Sequence, residues 1–161
     1  MRSRMFAIVI TGICLLIMTA LNAEAWADRS AVGTWKLDVA KSSYGNMPAP
    51  KFEQMVVTTD AADSLKWSLK GVGAEGKSYI SSYDGLTDGK FHPMMNSEGS
   101  ETVAYTRTGS TLSWIVKDKN GSIIETGSGQ LSADGNTLRL SGAMQGPKGK
   151  SAFVSVFDRV Q

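Results

Sequence analysis

Apolar and polar residues alternate one by one along much of this chain, and that repeat constrains the fold more than any other feature. The clearest stretch is Leu65-Lys66-Trp67-Ser68-Leu69-Lys70. Successive side chains of an extended strand point to opposite faces. Leu65, Trp67 and Leu69 therefore share one face, and Lys66, Ser68 and Lys70 the other. Leu112, Trp114 and Val116 alternate in the same way with Ser113, Ile115 and Lys117. Strands of this kind bury one face and wet the other, as antiparallel sheets allow. Beyond the N-terminal segment, no long stretch carries the 3.6-residue repeat of an amphipathic helix.

Turn signals break the alternation at short intervals: Gly71-Val72-Gly73, Asp84-Gly85, Asp88-Gly89, Glu98-Gly99, Thr108-Gly109, Asn120-Gly121, Asp134-Gly135 and Gly146-Pro147. Asn-Gly and Asp-Gly suit tight hairpins because both residues tolerate positive φ. The pattern predicts eight to ten strands, near 33–38, 52–59, 65–71, 77–83, 90–94, 102–108, 112–118, 122–131, 137–143 and 151–160. Segment 39–51 holds Gly45, Pro48 and Pro50 and reads as an irregular crossing loop. Short hairpins in series describe an all-β, antiparallel up-and-down β-barrel, whose closure removes exposed edges. An open sandwich is the alternative. A membrane barrel fits poorly, because Lys66, Lys70 and Lys117 occupy the face that lipid would cover.

The N-terminus has a different character. Arg2 and Arg4 precede an uncharged run from Phe6 to Leu21, followed by Ala25-Trp26-Ala27. This is the order of a cleavable export signal: positive start, apolar middle, small residues at the cut. The run falls short of the roughly 20 apolar residues that span a bilayer. Cleavage is expected after Ala27, leaving 28–161 as a single domain, periplasmic or extracellular and not inserted in a membrane. The single cysteine, Cys14, lies inside the run, away from the place a lipidated cysteine takes, and would leave with the signal. The exported domain would then have no disulfide. Losing Arg2, Arg4 and Glu24 from a formal charge of +2 leaves it nearly neutral. No basic run points to nucleic acid.

Gly33-Thr34-Trp35, with Arg159 far downstream, resembles the Gly-x-Trp opening of lipocalins and fatty-acid-binding proteins. The resemblance implies that Trp35 and Arg159 are structural, the Arg lying over the Trp to close one end. Trp35-Lys36-Leu37-Asp38-Val39-Ala40-Lys41-Ser42, Asp88-Gly89-Lys90-Phe91-His92-Pro93 and Ser132-Ala133-Asp134-Gly135-Asn136-Thr137-Leu138 look like a group of small secreted bacterial lipocalin-like proteins. That group implies a calycin-type fold and a compartment, and no reaction. Two family features are missing. Arg159-Val160-Gln161 lacks the Tyr of the Arg-x-Tyr carboxylate anchor of fatty-acid-binding proteins, and 39–51 is too short for their helical lid.

Chemistry-bearing groups are sparse. His92 is the single histidine, and neither Cys nor a second His accompanies it, so neither a metal site nor a cofactor is expected. It reads as a strand-end or surface residue. Most acids sit in turns, where backbone geometry explains them. Glu125 lies within a strand and is expected to be exposed. Trp67, Tyr79, Tyr83, Tyr105 and Trp114 alternate onto single faces of four central strands, and Arg107 shares a face with Tyr105. Pointed inward, these faces would line one volume with a few polar groups among apolar walls, the mixture found in small-molecule pockets. The expected function is therefore non-enzymatic binding of a small apolar or amphipathic ligand, with Tyr79, Tyr83, Tyr105, Arg107 and Trp114 as candidate contacts. The competing expectation is a filled core, since about eight strands enclose little more than their own side chains. A protein-interaction or inhibitor module using loops 39–51 or 96–101 is the alternative function, and a calycin-fold isomerase or hydrolase the third.

Overall fold

The computed structural model describes residues 30–97 and 99–160. The expected export signal, with Cys14, lies outside the described residues. The strands are β1 (Gly33–Leu37), β2 (Phe52–Asp60), β3 (Ser64–Val72), β4 (Ser78–Leu86), β5 (Asp88–Asn96), β6 (Gly99–Thr108), β7 (Thr111–Lys117), β8 (Ile123–Leu131), β9 (Thr137–Gly146) and β10 (Gly149–Arg159). Each pairs antiparallel with its neighbours in sequence, and β1 pairs with β10 to close the barrel. The fold is thus an all-β, closed, ten-strand up-and-down barrel.

Glycines of two kinds explain where strands end and where they continue. Gly76, Gly109, Gly121, Gly135 and Gly149 have positive φ and sit in or beside the hairpin turns. Gly71, Gly85 and Gly127 lie inside strands, and the place of their missing Cβ is taken by the rings of Tyr79, Tyr83 and Trp114. One turn expectation changes accordingly. β4 runs through Asp84-Gly85, because that glycine makes room for a flat ring. Thr87 alone separates β4 from β5.

The seams of the barrel are unequal. β9 and β10 stay in register from Gly146↔Gly149 to Thr137↔Asp158. β4 and β5 register at Ser81↔Asn96 and Ser82↔Met95. The β1–β2 crossing holds a single 3₁₀ turn, Val39–Lys41, whose Ala40 and Lys41 N–H groups donate to the Asp38 carboxylate. The chain then folds back on β10 through Ser43 and Val154, which exchange two backbone hydrogen bonds of 2.8 and 2.7 Å.

Trp35, Val103 and Phe157 are fully buried. Burying a side chain of this size contributes about 1.5–3 kcal/mol. The Arg159 guanidinium lies 4.2 Å from the Trp35 ring centroid, and its Nη1 donates to Val32 O at 2.6 Å. Gly33, with φ +147°, leaves its Cβ position to that same Nη1. The Gly-x-Trp spacing follows: the glycine admits the guanidinium that covers the tryptophan.

Candidate ligand-binding cavity

The inward faces do not fill the barrel. They enclose a cavity of about 630 Å³ running from Asp60 and Arg107 at one end to Glu53 and Glu125 at the other. Barrel diameter grows with strand number, so ten strands enclose more than the eight that side chains fill. Trp114 adds to the space by lying across Gly127, where a side chain would otherwise project. Leu65, Trp67 and Leu69 all face the cavity, as do Leu112, Trp114 and Val116. Leu69 and Ser81 also line a second hollow formed with Ile80, Met95 and Asn96 beside the β4–β5 seam.

Of the residues expected to contact a ligand, Tyr105, Arg107 and Trp114 stand on the cavity wall. Tyr83 is 2% exposed and stands behind them. Its ring centroid is 4.9 Å from that of Tyr105, and its hydroxyl donates to Leu86 O at 2.6 Å. Tyr79 also stands back from the wall and donates its hydroxyl to Glu53. Trp67 Nε1 donates to the Tyr105 hydroxyl at 3.1 Å, and burial pushes the Tyr105 phenol above its ordinary value. Arg107 is ion-paired to Asp60, which also accepts a 2.7 Å hydrogen bond from Ala31 N. The Arg107 Nε is buried without a partner. His92 stands off the wall, its Nε2 2.8 Å from Asp88 Oδ1.

Glu125 corrects the expectation of an exposed strand glutamate. It faces the cavity and accepts from Trp114 Nε1 at 2.7 Å. Burial pushes its carboxyl above the usual range; the Trp114 hydrogen bond opposes this, and the charges of Glu101 and Glu53 add to it. Burial likewise raises Glu53, against the Tyr79 hydrogen bond.

Of the three missed carboxylates, the strand pattern carried a clear signal for Glu53 alone. Glu53 alternates with Met55 and Val57 onto the inner face. Glu125 shares the parity of Gly127, Gly129 and Leu131, but two glycines show no apolar face. Asp60 is hidden by a bulge. Val57 pairs with Trp67 and Thr59 with Lys66, so one extra residue moves Asp60, rather than Thr59, to the inside.

No protein-family model and no curated protein sequence matches the chain. Among solved structures, it is similar to the zebrafish ileal bile acid-binding protein complexed with cholic acid. The TM-score is 0.55 at 14% identity, covering 81% of this chain and 100% of that one. A redesigned β-barrel matches with a TM-score of 0.49 at 14% identity, covering 89% of this chain and 100% of that one. At such identity the first likeness speaks to the fold alone, a closed barrel of the calycin type.

Proposed function

We propose that this protein is an exported module that binds a small apolar or amphipathic ligand inside the barrel without transforming it. The cavity carries this reading. Its volume of about 630 Å³ falls within the roughly 300–1,000 Å³ of small-molecule pockets. Its walls are mostly aliphatic and aromatic, with a few polar groups at the two ends. A barrel of similar fold solved in complex with cholic acid supports the same reading. Export rests on the N-terminal segment.

The direct test is titration of residues 28–161 with neutral N-phenylnaphthylamine, following tryptophan emission, with native mass spectrometry of the complex. Trp67 and Trp114 stand on the wall, so occupancy should quench saturably. Absence of both quenching and a complex would overturn the proposal. The facing Glu53 and Glu125 favour one second reading, acid–base catalysis on the bound molecule. A ligand recovered chemically unchanged after long incubation separates binding from turnover.

A further inference from the structure

The polar groups of the cavity are strongly one-sided. Among the described residues, Arg107 is the single basic side chain on the wall, and it is ion-paired to Asp60. Arg159 is engaged over Trp35, donating to the carbonyls of Gly135, Val32 and Ser30. No other cation on the described wall could anchor an anionic head group. At the opposite end, Glu53 and Glu125 each accept a hydrogen bond from an aromatic residue, Tyr79 and Trp114. A carboxylate has room for about four donors, so each keeps acceptor sites free for a ligand. The field of Glu101 adds to theirs at Glu125.

Aromatic rings stand on the same wall. Trp67, Tyr105 and Trp114 border the cavity, the last two with ring centroids 6.4 Å apart. Their negative faces attract cations, and the attraction grows where water is excluded. A carboxylate bonded to such a ring, as Glu125 is to Trp114, forms the chemistry that recognises an ammonium group. An anionic head placed there would meet repulsion from the two carboxylates and find hydroxyls, such as Tyr44 and Ser155, but no cation. Between the two ends lie apolar walls that suit a hydrocarbon body, including Leu69, Leu140, Met144 and Phe153.

We propose that the barrel is selective for cationic amphipaths, an amine or quaternary ammonium on an apolar body, with the positive group seated between Glu53 and Glu125. This deepens the ligand-binding reading and rests on it. It sets the chain apart from carriers of carboxylate lipids, in keeping with the missing Arg-x-Tyr anchor at Arg159-Val160-Gln161.

The experiment compares probes of one tail length and three heads: dodecyltrimethylammonium, dodecanol and dodecanoate. Each competes with N-phenylnaphthylamine below its micellar concentration, at about pH 8, where ordinary carboxyls and the dodecanoate head are ionised. The ammonium should displace the dye at concentrations about tenfold lower than the alcohol, with dodecanoate weakest. Glu53→Gln with Glu125→Gln should shrink the ammonium-to-alcohol ratio to within about threefold. The wild-type head-group series stands even if the double variant fails to fold. Dye binding with dodecanoate equal to or better than the ammonium would overturn the selectivity alone. So would an unchanged ratio in a folded double variant. Failure of every probe to bind would overturn the cavity reading, and this one with it.

Discussion

At the end of the barrel where β1 begins, Arg107 meets Asp60 and Arg159 covers Trp35. At the other end, Glu53 and Glu125 face the cavity with aromatic hydrogen-bond donors beside them and no basic residue on the described wall. Both ends remove charged groups from water, which is costly unless each charge finds a partner. The first end pairs its charges within the fold, although the Arg107 Nε is left without a partner. The second leaves two carboxyls inside an apolar space, where burial penalises their charge and the proposed ligand would meet them. The difference teaches which polar groups belong to the scaffold and which belong to the function.

The comparison can be broken by substitution, and the largest effect belongs at the first end. Trp35→Ala should cost about 3–5 kcal/mol, because it removes a fully buried ring and leaves a hole beneath Arg159. Urea unfolding followed by far-UV circular dichroism would measure it. A loss under about 1 kcal/mol would mean that Trp35 does not hold this end together.

A smaller effect should follow from Asp60→Asn, about 3 kcal/mol, the low end for a broken buried pair, because the half-buried Arg107 guanidinium is left without its counter-charge. Replacing both residues by Leu should recover most of that loss, since buried ion pairs are often exchanged for apolar residues at little cost. If the double variant lost as much as the two single replacements added together, Asp60 and Arg107 would be acting independently, and the first end would not be self-compensated.

The smallest effect, of opposite sign, should come from Glu125→Gln in the unliganded protein. A carboxyl raised by folding is protonated in both states below the ordinary value of 4.5 and carries no penalty there. As pH rises through that value the unfolded chain ionises first, so stability falls until the folded carboxyl ionises too. The Gln variant should therefore match the wild type near pH 4 and exceed it at neutral pH, with the gap opening as pH rises. Thermal melts across that range would show it. Wild type more stable than Glu125→Gln at neutral pH would make Glu125 a structural group like Asp60.

All ten strands were legible in the sequence, because a period of two and turn-forming dipeptides are local properties. The errors came where one residue type serves two purposes. Gly85 read as a turn residue, yet it is a seat for a tyrosine ring. The candidate site was half legible. Tyr105, Arg107 and Trp114 reach the cavity, while Tyr83 packs behind Tyr105 and Tyr79 serves Glu53. Alternation says which face a ring takes, and it cannot say whether another ring lies in front.

The sequence by itself determined the strands, their two faces and the hairpin order, since each follows from neighbouring residues and the geometry of an extended chain. The Gly33–Trp35–Arg159 unit was visible in it as well. Tertiary structure alone decided that ten strands leave an open interior, that a bulge in β2 turns Asp60 toward Arg107, and that Glu53 of β2 and Glu125 of β8 feel one another across it. Barrel width and the meeting of charges depend on residues far apart in the chain, and pairing between distant strands fixes those distances.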